Sequence, residues 1–378
     1  MRRRTRWLAA GLLLLPLVAC SEDATPGPEA TSTSSAPSAS GSAPGGSAPS
    51  SSTPSGSAPS DPTPGSPTPS ATGPSRKPSK PQAAALPRVG SPFSLPALMR
   101  EKFRGSPIRQ IRVQAQTDAY TRSEVTYRSG DVTVSGVLLR PRGRGPFPGI
   151  VLNHGYIEPS IYVTGQGLAR EQDYLARHGF VVLHTDYRGH AASDPAGPLE
   201  RETRLGYTRD TINAVLALEK EPYVDPDRMA MLGRSMGGGV TLNALVAQPG
   251  LVDAAVVYAS VSSRFLDNLQ HFTIPGRPEA AQALFDRFGT PRQEPAFYRQ
   301  LSSRTYFDRI TEPVLMHHGT NDESCPFPWA RTTARLLKAA GVRSRLDVYP
   351  GEMHSFIPRW QDSIERTVRF LREQFRAR

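Results

Sequence analysis

The chain has 378 residues, with 45 Lys and Arg against 34 Asp and Glu and a formal net charge of +11. The basic residues are scattered and form no cluster interleaved with aromatic side chains, so the sequence predicts no nucleic-acid binding. The chain has two cysteines, Cys20 and Cys325, and we expect Cys20 to be lipid-modified, so the folded region should contain no disulfide.

The N-terminus predicts export. Residues 1–6 are basic, and residues 7–18 form an apolar stretch that has the length of a signal peptide and is too short for a comfortable transmembrane helix. The sequence Leu17-Val-Ala-Cys20 resembles the lipobox of bacterial lipoproteins, whose cysteine is lipid-modified and becomes the mature N-terminus. We therefore expect a lipoprotein signal over 1–19 and a lipid anchor at Cys20 on the outer face of the membrane. An ordinary secretory signal is the alternative.

Residues 20–85 are rich in Ser, Pro, Gly, Thr and Ala and contain almost no large apolar side chain. Such a segment buries too little surface to offset its conformational entropy, so it is predicted to be a disordered linker. It serves either as a spacer between the membrane and the folded region or as a dispensable linker whose sequence is under little constraint. Residues 86–378 are long enough for one α/β domain with a full core.

The folded region predicts an α/β fold with a mostly parallel, doubly wound sheet. Residues 124–128 and 131–140 flank Ser129-Gly130 and predict a hairpin that starts the sheet. Apolar strands then alternate with amphipathic helices, which favours parallel strands. These strands are centred near Ile150, Val181, Met229, Ala255, Val314 and Leu346.

The alternation stops between residues 262 and 307, where aromatic, proline and charged residues accumulate. We expect this insertion, placed at about 262–307, to form a helical cap. Its aromatic side chains either line a pocket or form the cap's own small core. They are Phe265, Phe272, Phe285 and Tyr298.

The segment from His184 to His190 superficially offers metal ligands, with Asp186 between the two histidines. It lacks the paired short spacings of zinc sites, and His317 and His318 point to opposite faces of a strand. The sequence therefore predicts no metal site and no cofactor.

The pentapeptide Gly233-Arg-Ser-Met-Gly237 follows an apolar strand and opens a predicted helix that begins at Met236. A strand, a sharp turn and a helix with Ser235 at the apex form a nucleophile elbow, in which the flanking glycines permit a turn too tight for side chains. The string alone is weak evidence, because glycine is frequent in this chain. Its weight comes from the residues that follow.

A serine hydroxyl needs a base to remove its proton and an acid to orient that base. Residues 313–322 predict a strand that ends in a glycine loop carrying Asp322, and residues 346–354 predict a strand and turn that end at His354. The order serine, acid, histidine is that of the α/β-hydrolases. Asp347 and Glu352 are alternative acids, but neither lies in a loop that directly follows a strand, as Asp322 does.

An acyl-transfer site also needs amides that bind the developing oxyanion. The amide after the nucleophile, that of Met236, is one predicted donor. The second is the amide of Tyr156, in a loop that follows the predicted strand from Gly149. His154, in the same loop, is predicted to shape it, because the base that serves Ser235 should come last in the chain.

Four motifs occur along the chain in the order expected for one family. From about Gly136 onward, they resemble the catalytic domain of the prolyl oligopeptidase group within the α/β-hydrolase superfamily. They are Asn153-His-Gly-Tyr156, Gly233-Arg-Ser-Met-Gly-Gly238, His318-Gly-Thr-Asn-Asp322 with Pro326, and Tyr349-Pro-Gly-Glu-Met-His354-Ser-Phe356. The resemblance implies Ser235 as nucleophile, Asp322 as orienting acid and His354 as base. Many members of the group carry a β-propeller ahead of this domain, and we expect none here.

The second cysteine, Cys325, lies close to Asp322 in the sequence. The family motif places a small apolar residue at this position. We therefore interpret Cys325 as a packed thiol, with a catalytic role as the alternative.

The sequence as a whole predicts an exported, lipid-anchored serine hydrolase that acts through an acyl-enzyme and prefers carboxylic esters. An aminopeptidase or oligopeptidase on short peptides is the alternative, and a non-catalytic binding or wall-attachment module is the remote one. Four cap acids that might hold a peptide amine show no close pair; they are Asp267, Glu279, Asp286 and Glu294. The expected partners are a small substrate and the membrane, and the sequence does not indicate an oligomeric state.

Overall fold

The computed structural model describes residues 84–377. Within them, nine strands form one sheet. The strands are β1 Arg109–Gln116, β2 Tyr120–Ser129, β3 Val132–Pro141, β4 Phe147–Asn153, β5 Val181–Thr185, β6 Val224–Arg234, β7 Ala254–Tyr258, β8 Val314–Gly319 and β9 Ser344–Tyr349.

The strand order is β1-β2-β3-β5-β4-β6-β7-β8-β9. The pairs β1–β2, β2–β3 and β3–β5 are antiparallel, and every pair from β5–β4 to β8–β9 is parallel. The predicted α/β sheet is therefore confirmed, with its antiparallel part at one edge. Because the carboxyl ends of β6, β8 and β9 lie at the same edge of the parallel part, the loops that follow these strands are brought together.

Helices cover both faces of the sheet. The α-helices of the described residues are α1 Leu95–Leu98, α2 Ala169–Arg177, α3 Pro198–Thr203, α4 Leu205–Leu218, α5 Met236–Ala247, α6 Phe265–Asn268, α7 Ile274–Gly276, α8 Pro278–Phe288, α9 Pro295–Gln300, α10 Phe327–Ala339 and α11 Trp360–Arg376. Short 3₁₀ helices cover Pro159–Ile161 and Ser303–Arg309, and a π-helical turn covers Leu269–Thr273.

The core has two main parts. Helices α4, α5 and α10 pack into one apolar cluster, and α2 and α11 pack into the other. Every residue of β5, β7 and β8 is buried, as expected for parallel strands covered on both faces. Among the described helices, none is long and apolar enough to cross a membrane.

The sheet begins one strand earlier than predicted. The hairpin of β2 and β3 was expected to start it, but β1 pairs with β2 and forms the edge. The alternation of polar residues with Ile111 and Val113 in β1 is a strand pattern. All eight residues of β1 are exposed, however, and Ile111 is 52% exposed, so the alternation does not mark a buried face.

The segment predicted as a cap contains α6, the π-helical turn, α7, α8 and α9, and lies between β7 and β8. Phe265 and Tyr298 are buried within the main apolar cluster, and Phe285 packs against it. Phe272 is only part-buried and lies edge-on to the Trp329 ring of α10. The burial of Phe265 and Tyr298 favours a packing role for these two side chains.

Candidate active site

Ser235 lies between the end of β6 and the start of α5 in a strained backbone conformation, with φ of 53° and ψ of −118°. A positive φ is uncommon for a residue with a β-carbon. The turn also requires Gly237, because a β-carbon there would lie 1.9 Å from the carbonyl oxygen of Asn153. This geometry is that of a nucleophile elbow, which presents the seryl oxygen above the sheet.

Asp322 and His354 meet at the same edge of the sheet, in the loops that follow β8 and β9. His354 Nδ1 lies 2.9 Å from Asp322 Oδ1 and 3.0 Å from Oδ2. The carboxylate side chain is fully buried, whereas the imidazole is 21% exposed. Such a contact fixes the tautomer and the orientation of the ring, leaving Nε2 as the nitrogen that can accept a proton.

The Asp322 carboxylate is held in its ionised form. Burial alone would raise its pKa, but the hydrogen bond and charge of His354 outweigh burial and hold the pKa of Asp322 below its usual value. Two backbone N–H groups, of Ser324 and Cys325, also donate to Oδ1, at 3.0 and 2.7 Å. The acid is therefore oriented from two sides.

The Ser235 hydroxyl contacts the Cys325 thiol, with 4.0 Å between Oγ and Sγ. The Cys325 sulfur in turn lies within 4.8 Å of a ring nitrogen of His354 and of a carboxylate oxygen of Asp322. In the described part of the chain, no hydrogen bond joins Ser235 directly to His354. Hydrogen bonds between catalytic groups are often long without substrate and shorten in the substrate complex, so this spacing is compatible with a working triad.

The loop after β4 lies beside the nucleophile. A β-carbon at Gly155 would lie 3.3 Å from Cβ of Ser235 and 3.9 Å from its Oγ, so this backbone passes close to Ser235 and a side chain there would be tightly packed. Tyr156 follows directly, and Met236 opens α5, where the first N–H groups have no partner within the helix. The two amides predicted to bind an oxyanion thus belong to backbone segments that flank Ser235.

Two arginines, Arg234 and Arg170, bind the loop that carries His354. Neither contact was predicted from the sequence. Arg234, directly before Ser235, donates to the carbonyls of His354, at 3.3 Å, and Ser355. Arg170 of α2 donates to the carbonyls of Ser355, at 2.9 Å, and Phe356, at 3.4 Å. The position of Arg234 in the sequence, directly before Ser235, was the available signal for such a contact.

His154 is packed beneath the Gly155 loop and away from proton transfer. It is completely buried, its Nδ1 lies 2.6 Å from the Gly155 carbonyl and its ring stacks on Tyr162. Burial, helped by the nearby His190, lowers the pKa of His154 to about 3, so the ring is neutral. The structure thus places His154 as the support of its loop.

The segment from His184 to His190 organises a loop. Asp186 accepts hydrogen bonds from the hydroxyls of Ser135 and Tyr162, at 2.7 and 2.8 Å. Arg188 pairs with the buried Asp210 at 2.8 Å. The acid and the arginine of this segment therefore have structural partners.

Cys325 is completely buried. Burial raises the pKa of its thiol well above the ordinary value, so the thiol stays protonated. Asp322, Cys325 and His354 do form a group of three potential metal ligands. The Asp322 carboxylate already bonds to His354 and to two backbone N–H groups, so the group fits a proton-transfer site better than a metal site.

The two alternative acids have other partners. Asp347 pairs with Arg345 at 2.9 Å, and Glu352 accepts the backbone N–H of Arg359 at 2.7 Å. Asp322 is the acid that hydrogen-bonds to His354.

A model of the prolyl oligopeptidase family matches residues 167–378, which is more than half of the chain and includes Ser235, Asp322 and His354. The chain belongs to the prolyl oligopeptidase family. It is therefore a serine hydrolase, and the solved structures that are similar to it include both peptidases and esterases.

Two relatives from Bacillus subtilis (strain 168) differ in the share of their length that this chain covers. It is 27% identical to the uncharacterized peptidase YuxL over 248 residues, covering 61% of this chain and 35% of YuxL. It is 24% identical to the uncharacterized peptidase YtmA over 264 residues, covering 70% of this chain and 94% of YtmA. The chain thus spans about a third of YuxL and nearly all of YtmA.

Solved structures show the same fold. The acylaminoacyl peptidase of Pyrococcus horikoshii superposes with a TM-score of 0.56 at 20% identity, covering 69% of this chain and 42% of that one. Acetyl xylan esterase 1 from Thermoanaerobacterium sp. JW/SL YS485 superposes with a TM-score of 0.57 at 20% identity, covering 78% and 96%. A peptidase and an esterase therefore share the architecture of this family member.

Proposed function

We propose that this protein is an exported serine hydrolase that cleaves carboxylic esters in preference to peptides, with Ser235, His354 and Asp322 as its catalytic triad. The observation that carries the proposal is the Asp322–His354 hydrogen bond beside a serine in the strained elbow conformation. His354 removes the proton of Ser235, and the seryl oxygen attacks the substrate carbonyl. His354 then protonates the leaving group, and water releases the acyl group by the same route.

The amides of Met236 and Tyr156 stabilise the oxyanion of each tetrahedral intermediate. Their candidacy is supported by the close approach of Gly155 to Ser235 and by the position of Met236 at the first residue of α5. Hydrogen-bond donors fixed at this point stabilise charge that develops in the transition state and cost no reorganisation.

The preference for esters rests on the leaving group and on the cap. An alkoxide leaves without the well-placed proton that an amine requires. An aminopeptidase must also hold a free amine with acidic groups, and the cap acid Asp267 is already bound to Ser262 and Arg264. Similarity to an acetyl xylan esterase over 96% of that chain supports the ester proposal, and family membership supports the peptidase alternative.

We expect small nitrophenyl esters such as the acetate and butyrate to be hydrolysed readily, and aminoacyl or dipeptidyl anilides slowly or not at all. The measurement is kcat/KM for each class with the same enzyme preparation, and Ser235→Ala provides the blank. Efficient cleavage of unblocked peptide anilides that is lost on N-acetylation would contradict the ester preference and favour an aminopeptidase.

We also propose that the protein is anchored to the outer face of the membrane by lipid on Cys20, which lies outside the described residues. The lipobox-like sequence and the apolar stretch before it support this. Two acyl chains give stable attachment where one chain gives marginal attachment. We expect Cys20→Ser to move the protein to the soluble fraction or leave the precursor uncleaved, as measured by fractionation and N-terminal mass. A wild-type protein found free in the medium, cleaved beyond Cys20, would contradict the anchor.

A further inference from the structure

Arg204 joins α3 to α4 and has a left-handed backbone conformation, with φ of 60°. Its side chain is directed toward α5, the helix that begins directly after the nucleophile. A β-carbon built on Gly239 would lie 3.8 Å from Nη1 of Arg204, and Gly239 is one helical turn beyond Ser235. The guanidinium therefore lies next to the first turn of the nucleophile helix.

A second observation places the same charge near the nucleophile. The positive charge of Arg204 acts on the Cys325 thiol and opposes the rise in the pKa of that thiol. The Cys325 sulfur contacts the Ser235 hydroxyl at 4.0 Å. Arg204 is thus within electrostatic range of a group that touches the reactive oxygen.

Within residues 84–377, the Arg204 guanidinium makes no hydrogen bond and no ion pair. By contrast, Arg188 is paired with Asp210, and Arg277 is paired with Glu202. Glu202 is the acid with the strongest electrostatic effect on the pKa of Arg204. Its carboxylate is already bonded to Arg277 at 3.1 Å and to Arg201 at 3.3 Å. A cation removed in part from water without a partner is unfavourable, and burial lowers the pKa of Arg204.

Arg204 lines a small polar cavity between α5 and the cap, together with Asn243 and Ser303. The cavity volume is about 20 Å³, which is enough for about one water-sized group, such as a single carboxylate oxygen. In the described chain, the Asn243 carboxamide and the Ser303 hydroxyl likewise make no hydrogen bond. Three residues whose side chains can donate hydrogen bonds therefore line one cavity, and one of them carries a positive charge.

We propose that Arg204, with Asn243 and Ser303, forms a subsite that receives an oxygen of a carboxylate group carried by the substrate. This inference rests on the proposed function and specifies its substrate class: esters or short peptides with an anionic group near the scissile carbonyl. Guanidinium and carboxylate groups pair through charge-assisted, often bidentate hydrogen bonds. Substrate binding would supply the partner that Arg204 lacks. The carboxylate belongs either to the acyl part or to the leaving group, and the experiment separates the two.

The test uses two matched pairs of esters. For the acyl part, nitrophenyl hydrogen adipate is compared with nitrophenyl methyl adipate, in which the carboxylate is masked. For the leaving group, acetoxybenzoate is compared with its methyl ester. We expect the wild-type enzyme to prefer the anionic member of one pair by about 10- to 100-fold in kcat/KM, the effect of hydrogen bonds to a charged group. The preferred pair identifies the source of the carboxylate.

The variants attribute the preference to Arg204. Arg204→Met keeps a long apolar side chain without charge and is expected to reduce the anionic-to-neutral ratio to near unity. Arg204→Lys keeps a charge and is expected to restore part of the ratio. The matched control is Arg287→Gln, which removes an exposed positive charge of α8 and should keep the ratio. Thermal unfolding of each variant checks that it is folded.

The outcomes distinguish this inference from the proposed function. If the neutral esters are hydrolysed in a Ser235-dependent manner but neither anionic ester is preferred, the carboxylate subsite is wrong and the hydrolase is right. A preference that survives in Arg204→Met also contradicts the subsite. If no ester of either kind is hydrolysed, the ester-hydrolase proposal itself fails.

Discussion

Ser235→Ala is expected to lower kcat for the hydrolysis of nitrophenyl esters by about a million-fold, the loss seen in a serine-protease precedent when its nucleophile is removed. The side chain is the attacking group, and without it no acyl-enzyme forms. The residue sits at φ of 53° in the wild type, and alanine keeps the same β-carbon, so the fold should persist. Loss of the Ser235 hydroxyl should also abolish labelling by a fluorophosphonate probe.

Cys325→Ala is the informative control for this prediction, because its sulfur lies only 4.0 Å from the Ser235 oxygen. A buried, protonated thiol is not expected to act as the nucleophile, so this variant should remain active and be labelled by the probe. If Ser235→Ala kept near-normal hydrolysis while Cys325→Ala lost it, the nucleophile would be the thiol.

Asp322→Asn is expected to lower kcat by about 10⁴-fold, less than loss of the nucleophile, as in the equivalent serine-protease substitution. The asparagine can still accept the backbone N–H groups of Ser324 and Cys325 through its oxygen, which directs its amide toward His354. The amide donates where the carboxylate accepted, so the imidazole is held in the wrong tautomer. The measurement is kcat for a nitrophenyl ester, and circular dichroism confirms that the variant is folded.

Asp347→Asn and Glu352→Gln are the matched controls for the acid. Asp347 pairs with Arg345, and Glu352 bonds to the backbone of Arg359, so neither variant should reproduce the loss. A full-sized loss in either control, with Asp322→Asn near wild type, would move the role of orienting acid to that residue.

The sequence by itself determined the fold class and the order of the catalytic candidates. Apolar strands near Ile150, Val181 and Val314 are short and continuous, which is how fully buried parallel strands appear, and the structure confirms the sheet they predict. The nucleophile elbow could also be predicted from the sequence, because a serine between glycines at a strand-to-helix turn has few other structural roles. Local patterns of this kind persist in the chain whatever packs against them.

The tertiary structure alone decided which side chains meet. Asp322 was preferred over Asp347 and Glu352 from its position after a strand, but its contact with His354 depends on how two loops from adjacent strands converge. The same convergence lets Arg234 hold the carbonyl of His354, 120 residues further along the chain.

The edge strand β1 and the subsite at Arg204 show why the rest could not be predicted. The alternation in β1 was visible, yet its apolar residues remain exposed, because no layer packs on the edge. Arg204 is one of many arginines in the sequence, and nothing in its neighbours distinguishes it. Its lack of a partner follows from the pairing of Glu202 with Arg277 of the cap, a contact between residues 75 positions apart. Whether a charge is free depends on every group around it in space, and the linear sequence does not contain that arrangement.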